Sequence, residues 1–334
     1  METTNLINSI VKFISGKEII LYDKHRQTNP LATNQINKKK YFFIDVGLIW
    51  KYIPFRTSDK RKHRIMYVIL NIINPKFIIS INWISARESL YKVWTKKHTN
   101  SKFIVIQHGA YVGGVVVDLD VDHRYTKCDV FLTWGQYFTN EFTKRNSLKK
   151  VKIINFGNSI YNTYNRGLSS YKNNNNNKIV VLPSALDKEN TIHFTALIKK
   201  LQELKFEVIL KEHGKQGTEK DDKGVFKYPS LEGVTKLSGD LYSILENNDF
   251  DFIISDHSSS LLDAIFFKNK VLYFDPNNKV NGYETNYSNF LVNLFDVDFG
   301  SISKDSFYEL ISVENQEALF NDMIYLGNNQ INLI

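Results

Sequence analysis

The chain has 334 residues, 43% of them hydrophobic and 23% charged, which excludes a wholly disordered protein and exceeds the ~250 to 300 residues that one hydrophobic core usually serves. A single cysteine, Cys128, excludes an intrachain disulfide and favours a reducing cytoplasm. The formal charge of +8 favours anionic partners without choosing among nucleic acid, acidic lipid and phosphorylated substrates.

Apolar residues at helical spacing open the sequence, from Leu6 to Ile14. They predict a helix packed on the first domain, and a helix lying on a membrane surface is the alternative. Lys12 and Lys17 interrupt this stretch, so no signal peptide is expected. No later run reaches the ~18 apolar residues of a membrane span. We therefore expect a cytoplasmic protein, with peripheral contact to the inner face of the plasma membrane left open.

Apolar runs alternate with helical stretches through the first half of the sequence. Strands are predicted at 18–22, 41–46, 77–81, 103–106, 129–133 and 151–156. Helices are predicted at 59–73, 86–97 and 136–144, and residues 34–40 are predicted to form a polar connection. The basic patch of Lys60, Arg61, Lys62 and Arg64 in the helix 59–73 is interpreted as a solvated helix face, because no aromatic residues are interleaved within the patch for base stacking. This alternation is typical of a parallel, doubly wound sheet.

A polar tract then breaks the pattern, with five consecutive asparagines at 173–177. Such a tract buries too little apolar area to order itself, so residues 161–178 are predicted to link an N-terminal domain, 1–160, to a C-terminal domain, 179–334. The second half repeats the alternation, with strands at 178–182, 207–211, 252–254 and 271–274 and helices at 188–204, 237–247, 261–266 and 306–326. The last helix is placed where it can cross back to the first domain. The fold class is therefore α/β.

Polar residues follow two of the second-half strands at their carboxyl ends. The serine-rich turn after 252–254 opens a helix, and the N–H groups of a first helical turn attract phosphate. Plain helix capping is the alternative for these serines. Lys211 ends the predicted strand 207–211 and His213 follows it, where the two can neutralise a departing diphosphate. These candidate donor-binding residues are Lys211, His213, Asp256, Ser258, Ser259 and Ser260.

His108 follows a strand in the first half and is a candidate general base, since imidazole titrates near neutral pH. Asp118, Asp120 and Asp122 alternate, which on a strand places the three carboxylates on one face. With His123 they form a weak signal for a divalent metal, and nearby basic residues offer ion pairing instead. Either Asp118 or Asp122 is the alternative base, and no metal is required.

Five motifs occur in a fixed order: QHG at 107–109, DVFLTWGQYFTNEF at 129–142, a strand ending in glycine at 153–157, KEH at 211–213 and SDHSSSLLDAIFFKNKVLYF at 255–274. As an ordered set they resemble the GT-B transferases of bacterial cell-surface polymers, specifically the CDP-glycerol glycerophosphotransferase and capsule polysaccharide synthase group. Relatives usually have proline after the second histidine, where this sequence has Gly214.

The resemblance implies a GT-B-like fold, with two Rossmann-like doubly wound domains facing across a cleft. It implies that His108 acts on the acceptor, and that the KEH motif and the serines at 258–260 hold the nucleotide's phosphates. The predicted reaction transfers a sugar or polyol-phosphate unit from a nucleotide-activated donor to a hydroxyl of a glycan or lipid-linked glycan.

CMP- or CDP-linked donors are favoured, with UDP or GDP as other possibilities, and the acceptor is a capsule, O-antigen or teichoic-acid-like glycan. The nucleotide donor is a substrate, so no cofactor is expected, and nucleic acid is not an expected partner. The alternatives are a nucleotide-sugar epimerase of the same fold and a basic nucleic-acid-binding protein.

Overall fold

The computed structural model describes residues 16–53, 59–81, 86–107, 109, 128–144, 148–164, 171, 176–183, 188–211, 231–247, 250–256, 258–276, 279–280, 283–284 and 286–326. The helix predicted between Leu6 and Ile14 lies outside them. Contacts divide the chain into two compact units, and residues from Asp322 onward belong to the first unit with 16–107 and 128–164. In the described part of the chain, no helix is both long and apolar enough to cross a lipid bilayer.

The first unit is built on a parallel sheet with the strand order β2-β1-β3-β4-β5-β6. Its strands are β1 (Glu18–Tyr22), β2 (Tyr41–Asp45), β3 (Phe77–Ser80), β4 (Lys102–Ile106), β5 (Val130–Thr133) and β6 (Lys152–Asn155). Its helices are α1 (Asn29–Thr33), α2 (Gln35–Lys40), α3 (Val46–Tyr52), α4 (Asp59–Ile73), α5 (Ala86–Lys97) and α6 (Gln136–Thr143).

The central strands are buried at almost every residue, because helices cover both faces of a parallel sheet. Aliphatic side chains of adjacent strands, including Ile20, Ile79, Ile104 and Leu132, form one core. The apolar runs of the sequence therefore predicted these strands to within two residues.

Residues 34–40, predicted as a polar connection, contain the helix α2 instead. The Asn34 side chain accepts hydrogen bonds from the N–H groups of Ile36 and Asn37, which caps the helix. The Asn37 side chain is buried and donates to the carbonyl of Leu31 at 3.0 Å. The prediction was wrong because the buried residue of this helix is an asparagine, so the sequence shows no apolar periodicity.

The second unit is built on a parallel sheet with the order β11-β10-β7-β8-β9. In chain order its elements are β7 (Lys178–Leu182), α7 (Lys188–Glu203), β8 (Glu207–Leu210), β9 (Thr235–Lys236), α8 (Leu241–Asn247), β10 (Phe252–Ser255), α9 (Ser260–Phe266) and β11 (Val271–Tyr273). A short hairpin of β12 (Lys279–Val280) and β13 (Tyr283–Glu284) and the helices α10 (Lys304–Glu309) and α11 (Val313–Met323) follow. The last two residues of α11 belong to the first unit. The region predicted as one helix, 306–326, is therefore two.

Each sheet has one place where consecutive connections leave in opposite directions. In the first unit, β2 lies on one side of β1 and β3 on the other. In the second unit, β8 lies on one side of β7 and β10 on the other. In open α/β sheets, ligands bind outside the carboxyl ends of the strands at such a switch point. The pairs β1/β3 and β7/β10 therefore mark where a site is expected.

Candidate functional site

The serine turn predicted from the sequence begins at the switch point of the second unit. Ser255, the last residue of β10, donates its hydroxyl to the carbonyl of Leu182, the last residue of β7, at 2.7 Å. The Ser255 Oγ also lies 3.0 Å from the Ser260 Oγ, at the start of α9. One buried serine thus ties together the two strands and the helix that border the switch point.

Hydrogen bonds inside the turn fix its shape. The Asp256 carboxylate accepts the N–H of Ser258 at 3.0 Å, and the Ser258 hydroxyl oxygen accepts the N–H of Ser260 at 3.3 Å. From a later segment, the Tyr287 hydroxyl donates to the carbonyl of Ser258 at 3.4 Å. Asp256 is 2% exposed, and its carboxylate accepts a hydrogen bond from within the turn. Its role in the structure is therefore to fix the shape of the turn.

Ser259 differs from its two neighbours. It occupies the N-cap position of α9, but its side chain makes no capping hydrogen bond. Its hydroxyl makes no hydrogen bond to any part of the chain that the structure describes, and the residue is half-buried. Within the described residues, the Ser259 hydroxyl is therefore available to a ligand both as a donor and as an acceptor.

The helix α9 that follows the turn is buried along its whole length. Asp263, 2% exposed, accepts a hydrogen bond of 2.8 Å from the buried Tyr242 hydroxyl. A helix held on all sides keeps the preceding turn in one position, which is what a preorganised binding turn requires.

Lys211 is the first residue after β8, and its N–H donates to the carbonyl of Val181 in β7 at 3.0 Å. Since β8 is the neighbour of β7, Lys211 leaves the sheet at the same edge as the serine turn and one strand from the switch point. The structure thus brings Lys211, Asp256 and the three serines to one edge of one sheet. His213 lies outside the described residues.

Gln107, the residue before His108, is fixed at the end of β4. Its side-chain oxygen accepts the N–H of Trp134 at 2.9 Å, and its carbonyl accepts the Trp134 indole N–H at 2.7 Å. Its own N–H donates to the carbonyl of Leu132. His108 itself and the predicted residues Asp118 and Asp122 lie outside the described residues. Within the described ranges, no cluster of His, Cys, Asp or Glu is suited to hold a metal ion.

Asp23 is a candidate that the sequence reasoning missed. It directly follows β1, and Ser80, the last residue of β3, donates its hydroxyl to the Asp23 carboxylate at 2.5 Å. The first switch point is therefore bridged by a side chain, as the second is by Ser255. Its position immediately after a predicted strand was the available signal, because ligands of open α/β sheets bind at the carboxyl ends of the strands.

An arginine and a second carboxylate complete the Asp23 cluster. Arg87 lies 3.4 Å from the Asp23 carboxylate and 3.1 Å from that of Glu88, which is 1% exposed. Burial raises the pKa of Asp23, although Arg87 and the Ser80 hydroxyl act in the opposite direction. A carboxyl with a raised pKa at a strand end has the properties of an acid or base in catalysis.

A cavity of about 210 Å³ lies elsewhere in the second unit, lined by residues that include Val271, Leu291, Leu310 and Gln316. Val271 begins β11, so this cavity is at the amino ends of the strands, away from the serine turn. Ligands of open α/β sheets bind at the opposite edge, and we do not assign it to the donor.

The sequence from residue 8 to residue 208 matches the profile of the LIC12162 family transferase. This match covers more than half of the chain. The chain belongs to the LIC12162 family of transferases. Among curated proteins, no significant match to the sequence is found.

Solved structures show which fold this LIC12162 family transferase has. Over 94% of this chain and 93% of the other, it is similar to the UDP complex of S. aureus MnaA, with a TM-score of 0.52 and 10% identity. Over 92% and 97%, it is similar to the UDP-GlcNAc 2-epimerase of Neisseria meningitidis bound to UDP-GlcNAc, with a TM-score of 0.52 and 11% identity. A variant of the wall teichoic acid polymerase TagF matches over 94% of this chain and 86% of the other, with a TM-score of 0.48 and 13% identity. The two likenesses with a TM-score of 0.52, together with the two parallel sheets, confirm the predicted α/β, GT-B fold.

Proposed function

We propose that this LIC12162 family transferase moves a sugar or polyol-phosphate unit from a nucleotide-activated donor to a hydroxyl of a bacterial surface glycan. The observation that carries the proposal is the serine turn at the switch point of the second sheet, with Lys211 at the same edge. A rigid turn with an available hydroxyl, on the same sheet edge as a lysine, is suited to hold the phosphates of a nucleotide.

In this proposal the donor-site residues have different tasks. Ser259 donates its hydroxyl to a phosphate oxygen, and Lys211 and His213 neutralise its charge. Ser258, Ser260 and Asp256 keep the turn in the shape that presents Ser259, as their mutual hydrogen bonds support. The leaving nucleotide phosphate is stabilised by these groups without a metal.

The acceptor hydroxyl attacks the transferred unit as the bond from that unit to the nucleotide phosphate breaks. The proton of the hydroxyl passes to a general base, and the bonding electrons leave with the phosphate. His108 is the first candidate for this base, and Asp118 and Asp122 are the alternatives. Asp23 is a further candidate for the base, because it lies at the β1/β3 switch point.

A CMP- or CDP-linked donor is the preferred identity, with UDP or GDP as the other options. The acceptor is a capsule, O-antigen or teichoic-acid-like glycan, free or linked to lipid. We place the enzyme in the cytoplasm with its donor and infer a peripheral contact with the membrane, because a lipid-linked acceptor is presented there.

The decisive measurement is a thermal-shift screen of the whole chain with CMP, CDP, UDP, GDP and dTDP. A nucleotide at 100 times its dissociation constant stabilises the folded state by about 2.7 kcal/mol. We expect one cytidine nucleotide to give the largest shift. Failure of every nucleotide to stabilise the protein would contradict the proposal.

Incubation with the donor alone separates the transferase from an epimerase of the same fold. A transferase gives at most slow hydrolysis of the donor when no acceptor is present, whereas an epimerase converts the donor to its epimer. The likeness to UDP-GlcNAc 2-epimerases makes this comparison necessary, because at 11% identity it reaches the fold and no further.

A further inference from the structure

The positive charge of the chain is concentrated in one short segment. Residues 38–64 contain nine Lys or Arg and two Asp, a formal charge of +7 out of the +8 of the whole chain. Within the first unit this segment runs from the end of α2, through the edge strand β2 and α3, into α4. The remainder of the protein carries a formal charge of only +1, so nearly all of the net charge lies in this segment.

Exposed aliphatic residues occur in the same place. On α4, Ile65, Val68 and Ile72 are 39%, 55% and 49% exposed, whereas Met66 and Leu70 are fully buried. The spacing of three and four residues places the exposed three in one stripe along the helix, on the side opposite the buried two. The helix therefore has an apolar inner face and a second apolar stripe that faces water.

Two arginines lie at the N-terminal end of the same stripe. Arg61 and Arg64 are exposed, and Arg61 lies seven residues, or about two helical turns, before Val68. We call Arg61, Arg64, Ile65, Val68 and Ile72 the α4 surface. The interpretation of this helix as a solvated face explains its arginines but leaves the three aliphatic side chains without a reason.

The preceding helix adds to this region. In α3, Leu48 is 53% and Tyr52 is 82% exposed. The two helices are in contact through Trp50 of α3, whose ring packs edge-on against that of His63 in α4 with the ring centroids 5.9 Å apart. Exposed apolar side chains thus continue from α4 to its neighbour within the same unit.

We propose that the α4 surface docks on an anionic lipid bilayer. Basic residues are attracted to acidic headgroups, and aliphatic side chains enter the boundary between headgroups and acyl chains. A single-stranded nucleic acid would instead require aromatic side chains on which bases stack, and the stripe on α4 is aliphatic. The proposed function includes a peripheral membrane contact. The α4 surface and the anionic bilayer are the two sides of that contact, so the docking proposal rests on the proposed function.

The test uses the full chain and sedimentation with two kinds of vesicle, one of phosphatidylcholine alone and one of phosphatidylcholine mixed with phosphatidylglycerol. The wild type is expected to sediment with the mixed vesicles and to be released by salt. A variant with Arg61→Glu and Arg64→Glu should bind at least about 20-fold more weakly. A variant with Ile65→Ser, Val68→Ser and Ile72→Ser should bind the mixed vesicles at least about tenfold more weakly.

A matched control is available on α7 in the second unit, where Ile192 is 60% exposed and Lys199 is also exposed. A variant with Ile192→Ser and Lys199→Glu changes the same residue types and should bind vesicles as the wild type does. All these side chains face water, so each variant is expected to keep the unfolding temperature of the wild type.

Three outcomes would overturn the docking proposal. They are wild-type protein that binds neither vesicle, α4 variants that bind as tightly as the wild type, and a change of oligomeric state or of nucleic-acid binding in the α4 variants with vesicle binding unchanged. Because no donor or acceptor is present, failure here leaves the nucleotide screen as a separate test of the transferase.

Discussion

Ser259 and Ser260 are adjacent in the chain, but only Ser260 has its hydroxyl engaged by the described protein. We expect Ser259→Ala to weaken nucleotide binding about tenfold or more, because a hydrogen bond to a charged group contributes about 1.5 to 3 kcal/mol. The free energy of unfolding should stay unchanged. Calorimetric titration with the nucleotide found in the screen, together with urea unfolding, measures both quantities.

Ser260→Ala is the matched control, since it removes the hydroxyl that faces Ser255. It is expected to reduce the free energy of unfolding by about 1 kcal/mol and to affect nucleotide affinity less than Ser259→Ala does. If Ser259→Ala bound the nucleotide normally, the phosphate would have to be assigned to other groups of this edge.

Asp23 titrates differently in the folded and unfolded chain, because burial raises its pKa. The folded state then binds the proton more tightly, and stability decreases as pH rises from the unfolded value of about 3.9 through the raised folded value. Asp23→Asn removes this titration, so the stability of the variant relative to the wild type should increase with pH across that window. Urea unfolding at a series of pH values measures the difference.

Asp59, on the outside of α4 with a side chain that is 91% exposed, supplies the control. Asp59→Asn should stay within about 0.5 kcal/mol of the wild-type free energy of unfolding, because exposed surface substitutions change stability little. A parallel result for Asp23→Asn would show that the carboxyl is not perturbed by folding.

The same substitution tests whether Asp23 takes part in catalysis. If it accepts the proton of the acceptor, Asp23→Asn should reduce kcat by about 10²- to 10⁴-fold and leave donor binding intact. A purely structural carboxylate would change stability without changing the pH dependence of kcat, and that profile distinguishes the two roles.

At the scale of elements, the start of α6 is packed against the end of α11 within the first unit. A Cβ on Gly135 would come within 2.0 Å of the carbonyl oxygen of Met323, and the N–H of Tyr325 donates to the carbonyl of Trp134 at 2.7 Å. Gly135→Ala should therefore force the two backbones apart and cost about 3 kcal/mol of stability.

Gly109 provides the comparison, because a Cβ there meets no atom of the described residues within 4 Å. Urea unfolding of Gly109→Ala is expected to match the wild type. Equal stability of both alanine variants would mean that the segment after α11 is not anchored at Trp134.

Long helices and buried strands could be predicted from sequence because their signals are local. The spacing of Met66 and Leu70 sets the buried face of α4, and its predicted bounds are those observed. Partners distant in the chain gave no such signal. The Asp251 carboxylate accepts the N–H groups of Asn176 and Asn177 at 2.8 and 2.7 Å, so the end of the asparagine run is held by a residue 75 positions away.

The candidate site divides along the same line. The serine turn and Lys211 were predicted because each directly follows an apolar run and opens or precedes a loop. The bond between Ser80 and Asp23 was not predicted, since it depends on β3 lying beside β1 across 57 residues of chain. Which serine hydroxyl is engaged also depends on Leu182, 73 residues before Ser255, and spacing alone does not reveal it.

At the scale of the whole molecule, the two units use the same architecture. In each, a polar side chain bridges the two strands where the strand order reverses, Ser80 to Asp23 in one and Ser255 to Leu182 in the other. The length of the chain predicted more than one core, and the order of its motifs predicted the fold. The distribution of charge could be read from the sequence, but the exposure of Ile65, Val68 and Ile72 required the structure.

The hydrogen bond from Tyr325 to Trp134 also constrains how the protein is made. A ribosome releases residues 16–164 long before it reaches Asp322, yet the first unit includes residues from both stretches. The nascent first unit therefore remains incomplete until the second unit has been synthesised. Until then, the carbonyl of Trp134 lacks its hydrogen bond from the N–H of Tyr325. Domains that are continuous in sequence fold one after another during synthesis, whereas here the earlier unit is completed last.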